Sequence, residues 1–227
     1  RGAQILVHAL HHGKLVVVER LAPRHVVPHR EQRTRVGLAA GKIIPPREGV
    51  VRVQRIGEHR FALAANGEER RLTSEAAFAV KLLGVTVYRY RHTATENWRG
   101  DCLRQLVSRT DDDGTPEKVD ASAAGDNVLA VTTPKGTQPV DGCVMSFAYW
   151  NPAIRKQERL LNSQSGKLEA VQVSRVGSGT VEVRGQAVAA TRWRIATPAQ
   201  PIDVWYSAQG EWIGLDSTVS GSRKLSY

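Results

Sequence analysis

Between residues 71 and 98 apolar and polar side chains alternate with a period of two, and that alternation restricts what the chain can become more than any other feature. Leu72, Ser74, Ala76, Phe78, Val80 and Leu82 fall on one face, against Arg71, Thr73, Glu75, Ala77, Ala79 and Lys81 on the other, the pattern of a long half-buried strand. Past a bend allowed by Gly84, the residues Tyr88, Tyr90, His92, Ala94, Glu96 and Trp98 share a face, and Arg89, Arg91, Thr93 and Thr95 share its reverse. Asn66-Gly67 supplies a hairpin turn, flanked by Phe61-Ala62-Leu63 and Arg71-Leu72-Thr73. Further turn signals fall at Asp113-Gly114, Gly125-Asp126-Asn127, Gly136, Ser165-Gly166, Gly177-Ser178-Gly179, Gln209-Gly210 and Ser220-Gly221.

Apolar stretches separate these turns: Val128-Leu129-Ala130-Val131, Val144-Met145-Ser146-Phe147, Val181-Glu182-Val183 and Ile202-Asp203-Val204-Trp205-Tyr206. Each reads as a strand. Asn151-Pro152 followed by Ala153 to Leu161 carries an N-cap, a proline at the first helical position and a leucine pair at its end, so one short helix is expected near residues 152–161. No strand-helix-strand alternation of the length needed for a parallel sheet is present. The expected fold class is therefore all-β. A long antiparallel meander must close, split or coil, so it should form a strongly curved sheet or an open or half barrel.

Charge divides the chain. Of the net +10, residues 1–60 carry +8 and the remaining residues +2. All aromatic residues lie at Phe61 or later, and six of the seven histidines at His59 or earlier. With no aromatic to bury and the breaker run Ile44-Pro45-Pro46-Arg47-Glu48-Gly49, residues 1–48 are expected to be a basic, His-rich, mostly irregular or non-native extension, and residues 49–227 a single β domain. His8, His11, His12, His25 and His29 suggest a metal site, but Pro23 and Pro28 oppose a helix that would hold His25 and His29 together and no Cys or Asp joins them. No metal and no cofactor is expected. The basic stretch from Arg24 to Arg35 lacks interleaved aromatics for base stacking, and the body is nearly neutral, so nucleic acid is not an expected partner. No apolar run approaches the roughly 20 residues of a membrane-crossing helix.

The residues able to carry chemistry in the body are few. Cys102 and Cys143 would form a bridge in an exported domain, worth roughly 3–4 kcal/mol for a loop of about forty residues, or stay two buried thiols in a cytosolic one. The functional alternative makes Cys102 a nucleophile, with Asp101 beside it and His92 on a neighbouring strand. His92 is the only histidine beyond residue 59. Asp111-Asp112-Asp113-Gly114 resembles the start of a calcium loop, but its twelfth position is Ser122 and Pro116 intervenes, so it reads as a solvated turn. Asp216-Ser217 lacks the nucleophile elbow of a serine hydrolase. Phosphate-loop, dinucleotide and Cys-x-x-Cys signatures are absent. Trp98, Trp150, Trp193, Trp205 and Trp212 are many for one β domain, and such rings fill a core or line a cavity for an apolar ligand.

Ile56-Gly57-Glu58-His59-Arg60-Phe61, Lys81 to Tyr90, Glu96-Asn97-Trp98-Arg99-Gly100-Asp101-Cys102-Leu103, Cys143 to Trp150, Leu160-Leu161-Asn162 and Trp205-Tyr206 together resemble an uncharacterised family of bacterial exported proteins, the domain of unknown function 6134 family. The resemblance spans about residues 56–227. It implies a periplasmic, mostly antiparallel β domain, broadly like the curved sheets of lipoprotein carriers, with no established activity and no catalytic residues to carry over. The expected function is a non-enzymatic periplasmic module that binds an apolar ligand, such as a lipid, on the concave face of its sheet, with Tyr88, Tyr90, Trp98, Trp150, Trp193 and Trp205 as the candidate lining. The alternatives are an envelope enzyme built on Cys102 and His92, and a structural or protein-interaction domain using exposed sheet edges.

Overall fold

The structure, a computed structural model, describes residues 32–35, 42–44, 57–82, 85–219 and 223–226. The leader histidines and the bends expected at Gly84 and Ser220-Gly221 lie outside them. Strands β3 (Gly57–Asn66), β4 (Glu69–Leu82), β5 (Val85–Arg99), β6 (Cys102–Asp112), β7 (Thr115–Ala123), β8 (Val128–Thr133) and β9 (Gly136–Asp141) follow one another as an antiparallel meander. Its first edge is extended by β1 (Gln32–Arg35), paired with Ala62 to Ala65 of β3, to make an eight-stranded sheet. A two-stranded hairpin, β10 (Arg159–Leu161) with β11 (Leu168–Ala170), comes next. A six-stranded sheet then holds β12 (Gln172–Val183), β13 (Gln186–Ala196), β14 (Ile202–Ser207), β15 (Trp212–Val219) and β16 (Arg223–Ser226), with β2 (Lys42–Ile44) at its far edge. Two short strands thus fall inside the stretch 1–48 that sequence alone reads as an extension.

The period-two faces lie where the sequence places them. Leu72, Ser74, Ala76 and Phe78 of β4 and Tyr88, Tyr90, His92, Ala94, Glu96 and Trp98 of β5 are all buried. The hydrophobic effect sets this register, since a one-residue slip would send every one of these side chains to solvent. Asn66-Gly67 makes the β3–β4 hairpin, with Gly67 at φ 58°.

Three expectations are corrected. No two- or three-turn helix spans residues 152–161. Asn151 does cap, accepting from the Ala153 backbone N–H at 3.0 Å, but only a 3-10 turn follows, Pro152–Lys156. The chain is already extended at Gln157, because Leu160 and Leu161 are fully buried in a strand that pairs with β11 rather than on a helix face. Val144 to Phe147 is likewise no strand. Residues 144–151 are all buried, yet irregular, and they form a plug rather than a ladder. The plug is tied at its entry by two backbone bonds, Leu103 N–H to Val144 carbonyl and Leu161 N–H to Met145 carbonyl, each 2.8 Å. Finally, Gly177-Ser178-Gly179 is not a turn, since β12 runs through it with an irregularity between Arg175 and Gly177. A Cβ on Gly179 would stand 3.2 Å from the Trp205 ring, so glycine there makes room for indole. The turn falls instead at Arg184-Gly185, both at positive φ.

The plug joins the two sheets into one core. Trp98 and Trp150 meet edge to face at 5.5 Å, Tyr149 packs on Trp212 at 5.7 Å, and the Tyr206 hydroxyl donates to the Tyr149 carbonyl at 2.8 Å. Ile195, Ile202, Val204 and Leu215 bring the second sheet to the same cluster. Burying each large ring contributes about 2–3 kcal/mol, so the plug residues anchor the sheet packing.

Candidate functional site

Cross-strand pairing lays the inner face of the large sheet out in rows. One row reads His59, Ala76, His92, Thr110 and Glu117, and the next Phe61, Ser74, Ala94, Ser108 and Val119. The small residues make room for rings. His92 stacks on Tyr90 (6.3 Å), Tyr90 on Phe78 (5.9 Å), and His59 lies against Phe61 (3.8 Å) and edge-on to Phe78 (6.4 Å). Both histidines are buried and bonded to hydroxyls, His59 Nε2 with Ser74 Oγ at 2.6 Å and His92 Nδ1 with Thr110 Oγ1 at 2.8 Å. Burial pushes His92 down to about 4 and lowers His59 as well, with the neighbouring His92 adding to the effect. At neutral pH both rings are therefore uncharged. His59 Nδ1 and Ser108 Oγ are buried without a hydrogen-bond partner among the described residues.

This aromatic row meets solvent at a groove of about 520 Å³, walled by the start of β7 (Thr115 to Lys118), the β8–β9 turn (Thr133 to Gln138) and residues 164–167. Gln164 is the joint. Its buried side chain accepts a bond from the Tyr90 hydroxyl at 3.2 Å, while its backbone N–H donates to Asn162 Oδ1. Asn162 is held in turn by donating to Glu169 at 2.8 Å. Gly166, at φ 70°, completes the floor, where a Cβ would come within 2.5 Å of the Thr133 methyl. Glu117 lines the groove too, and its Oε2 is buried without a hydrogen-bond partner among the described residues.

A second polar island lies further along β5. Glu96 accepts from Ser146 Oγ at 2.9 Å and from Trp98 Nε1 at 3.0 Å. Burial raises its carboxyl to about 7, against the two hydrogen bonds, which favour the ionised form. Beyond it Cys102 and Cys143 form a disulfide, and Asp101, exposed, accepts from Asn151 Nδ2 at 2.9 Å and lies 3.8 Å from Arg70.

The geometry does not assemble the candidate catalytic group. Cys102 is oxidised, so it holds no thiolate to attack with. His92 lies seven residues along β5 from Arg99, the register partner of Cys102, a span of roughly 23 Å in an extended strand. The six candidate lining residues also do not form one wall. Tyr90 reaches the groove floor through Gln164, and Tyr88 donates to Asp112 at 2.8 Å. Trp98 and Trp150 lie against each other in the core. Trp193 stacks under Arg155, and Trp205 stands on the reverse face of β14, donating to Asp216 at 2.8 Å beneath Arg192. Sequence reading missed His59, Glu117 and Gln164. For His59 the signal was present, since Gly57 to Phe61 continues the alternation. Among the described residues no three His, Cys, Asp or Glu side chains gather as a metal set.

A disulfide-bridged, barrel-like curved sheet with an open groove at one end is the class of domain defined here. Over residues 50–226 the chain matches the domain of unknown function DUF6134, and it belongs to that family. It is similar in fold to the crystal structure of a beta-barrel-like protein of domain of unknown function DUF1849 from Brucella abortus, at 12% identity and a TM-score of 0.55, over 82% of this chain and 92% of that one. No curated protein matches it. The bridge points to an oxidising, extracytoplasmic compartment. Among the described residues no helix is long and apolar enough to cross a membrane.

Proposed function

We infer that this domain is a periplasmic, non-enzymatic binding module that takes an apolar or amphiphilic ligand at the concave face of its large sheet, with the groove as the way in. The observation that carries this reading is the Tyr90–Gln164 hydrogen bond, which makes one side chain both groove floor and cap of the aromatic row. Prolines, threonine methyls and lysine stems line the groove, a mixture suited to a chain with a polar end.

Titration with a lysophospholipid below its micellar threshold, followed by native mass spectrometry, tests it. A one-to-one adduct is expected, lost when Thr137→Trp fills the groove. An unchanged mass at every concentration overturns the reading.

A further inference from the structure

The groove carries charges of both signs, arranged by depth. Glu117 Oε2 is a buried acceptor in the groove wall with no donor among the described residues. A buried unsatisfied acceptor is costly, more so when charged. Lys135 and Lys167 stand on two different walls, one in the β8–β9 turn and one beside Gly166. Neither has a carboxylate within ion-pair distance among the described residues, whereas Lys118 is taken by Asp120 at 3.0 Å. Glu117 pairs in register with Thr110, which pairs with His92, so it stands where the groove meets the row of inner-face rings.

Resting on the reading above, we propose that the groove recognises a zwitterionic head group in which a primary ammonium lies a few bonds from a phosphate, the head group of an aminophospholipid. The Glu117 carboxylate, whose Oε2 is covered by its neighbours, turns into the groove and accepts N–H from the ammonium, and the phosphate lies between Lys135 and Lys167. A trimethylammonium has the same charge and no N–H, so it leaves the Glu117 oxygen without a hydrogen bond. The discrimination belongs to that bond.

The test uses the full chain and three probes by isothermal titration: lysophosphatidylethanolamine, lysophosphatidylcholine of the same acyl chain, and O-phosphoethanolamine. The ethanolamine lysolipid should bind about tenfold or more tightly than the choline one, the difference expected of one charged hydrogen bond. Glu117→Leu, which offers the ammonium no acceptor, should bring the two together while still binding the choline form. Equal affinity of the two lysolipids for the unaltered protein overturns the head-group inference and leaves the amphiphile site standing. Binding of neither lysolipid, with O-phosphoethanolamine also silent, overturns both. O-phosphoethanolamine binding as tightly as the lysolipid supports the ammonium site and overturns the apolar-ligand reading.

Discussion

Ser146 donates its hydroxyl to Glu96 across 2.9 Å, joining two residues fifty positions apart and fastening the irregular plug to the inner face of β5. The carboxyl it reaches is buried, and burial raises it to about 7 from an ordinary 4.5. A group that holds its proton more tightly folded than unfolded contributes stability fully below its unfolded value, and that contribution is lost as pH rises through 7. The amount is about 3 kcal/mol at most, from 1.4 kcal/mol per unit. Glu96→Gln removes the loss, so the variant should gain on the native chain between pH 5 and pH 8 in urea unfolding. A difference independent of pH would show that Glu96 does not titrate in that window.

The inner-face histidines act with the opposite sign. His92 is pushed down to about 4, so it contributes stability present above about 6.5 and lost as pH falls towards 4, and His59, lowered too, acts with the same sign. Between pH 6.5 and 4.5 the two effects oppose each other, histidine loss against Glu96 gain. His92→Gln should flatten the acid limb by about 3 kcal/mol, read as the change in unfolding free energy between pH 7 and pH 4.5. An acid limb as steep as before would assign the loss to other groups.

The cystine closes a loop between the start of β6 and the entry to the plug, with a sequence separation of 41. In the chain-entropy model such a loop contributes about 4 kcal/mol. Cys102→Ser with Cys143→Ser should lower the thermal midpoint by roughly 10 °C. Reductant should act on the native chain and not on the double variant. A midpoint unchanged by either treatment would leave the bridge without a stabilising part.

How much of this was legible depends on whether burial is one-sided. Leu72 to Phe78 and Tyr88 to Trp98 each show one face to the core and one to water, so alternation marks them in sequence and Tyr90 and His92 stand out as inner-face residues. Val144 to Trp150 are buried on every side, which leaves an apolar run without a period, and such a run imitates a strand. Gly179 helps imitate a turn because the Trp205 ring that needs a glycine opposite it comes from another strand. The same holds for the groove. Glu117 and Gln164 are single polar residues with no pattern around them, and only the meander brings β7 beside residues 164–167. His59 was obscured by its neighbours in sequence, since its count falls with the leader histidines while its side chain belongs to the row with His92.

Gly166 connects the fold to the groove most directly. It has φ 70°, a left-handed conformation that costs a side-chain-bearing residue about 1 kcal/mol or more, and its missing Cβ would stand 2.5 Å from the Thr133 methyl. The carbonyl of the same residue accepts from Gln138 Nε2 at 3.3 Å, which pins the loop against β9. Gly166→Ala should therefore destabilise by about 1–3 kcal/mol, and it should weaken lysolipid binding as the loop carrying Gln164 and Lys167 shifts. Thr133→Ser removes the methyl but not the backbone strain. Added to Gly166→Ala, it should restore part of the stability and part of the binding, measured by urea unfolding and titration on the same samples. Recovery of stability without recovery of binding would separate the loop from the ligand and place the binding surface elsewhere on the sheet.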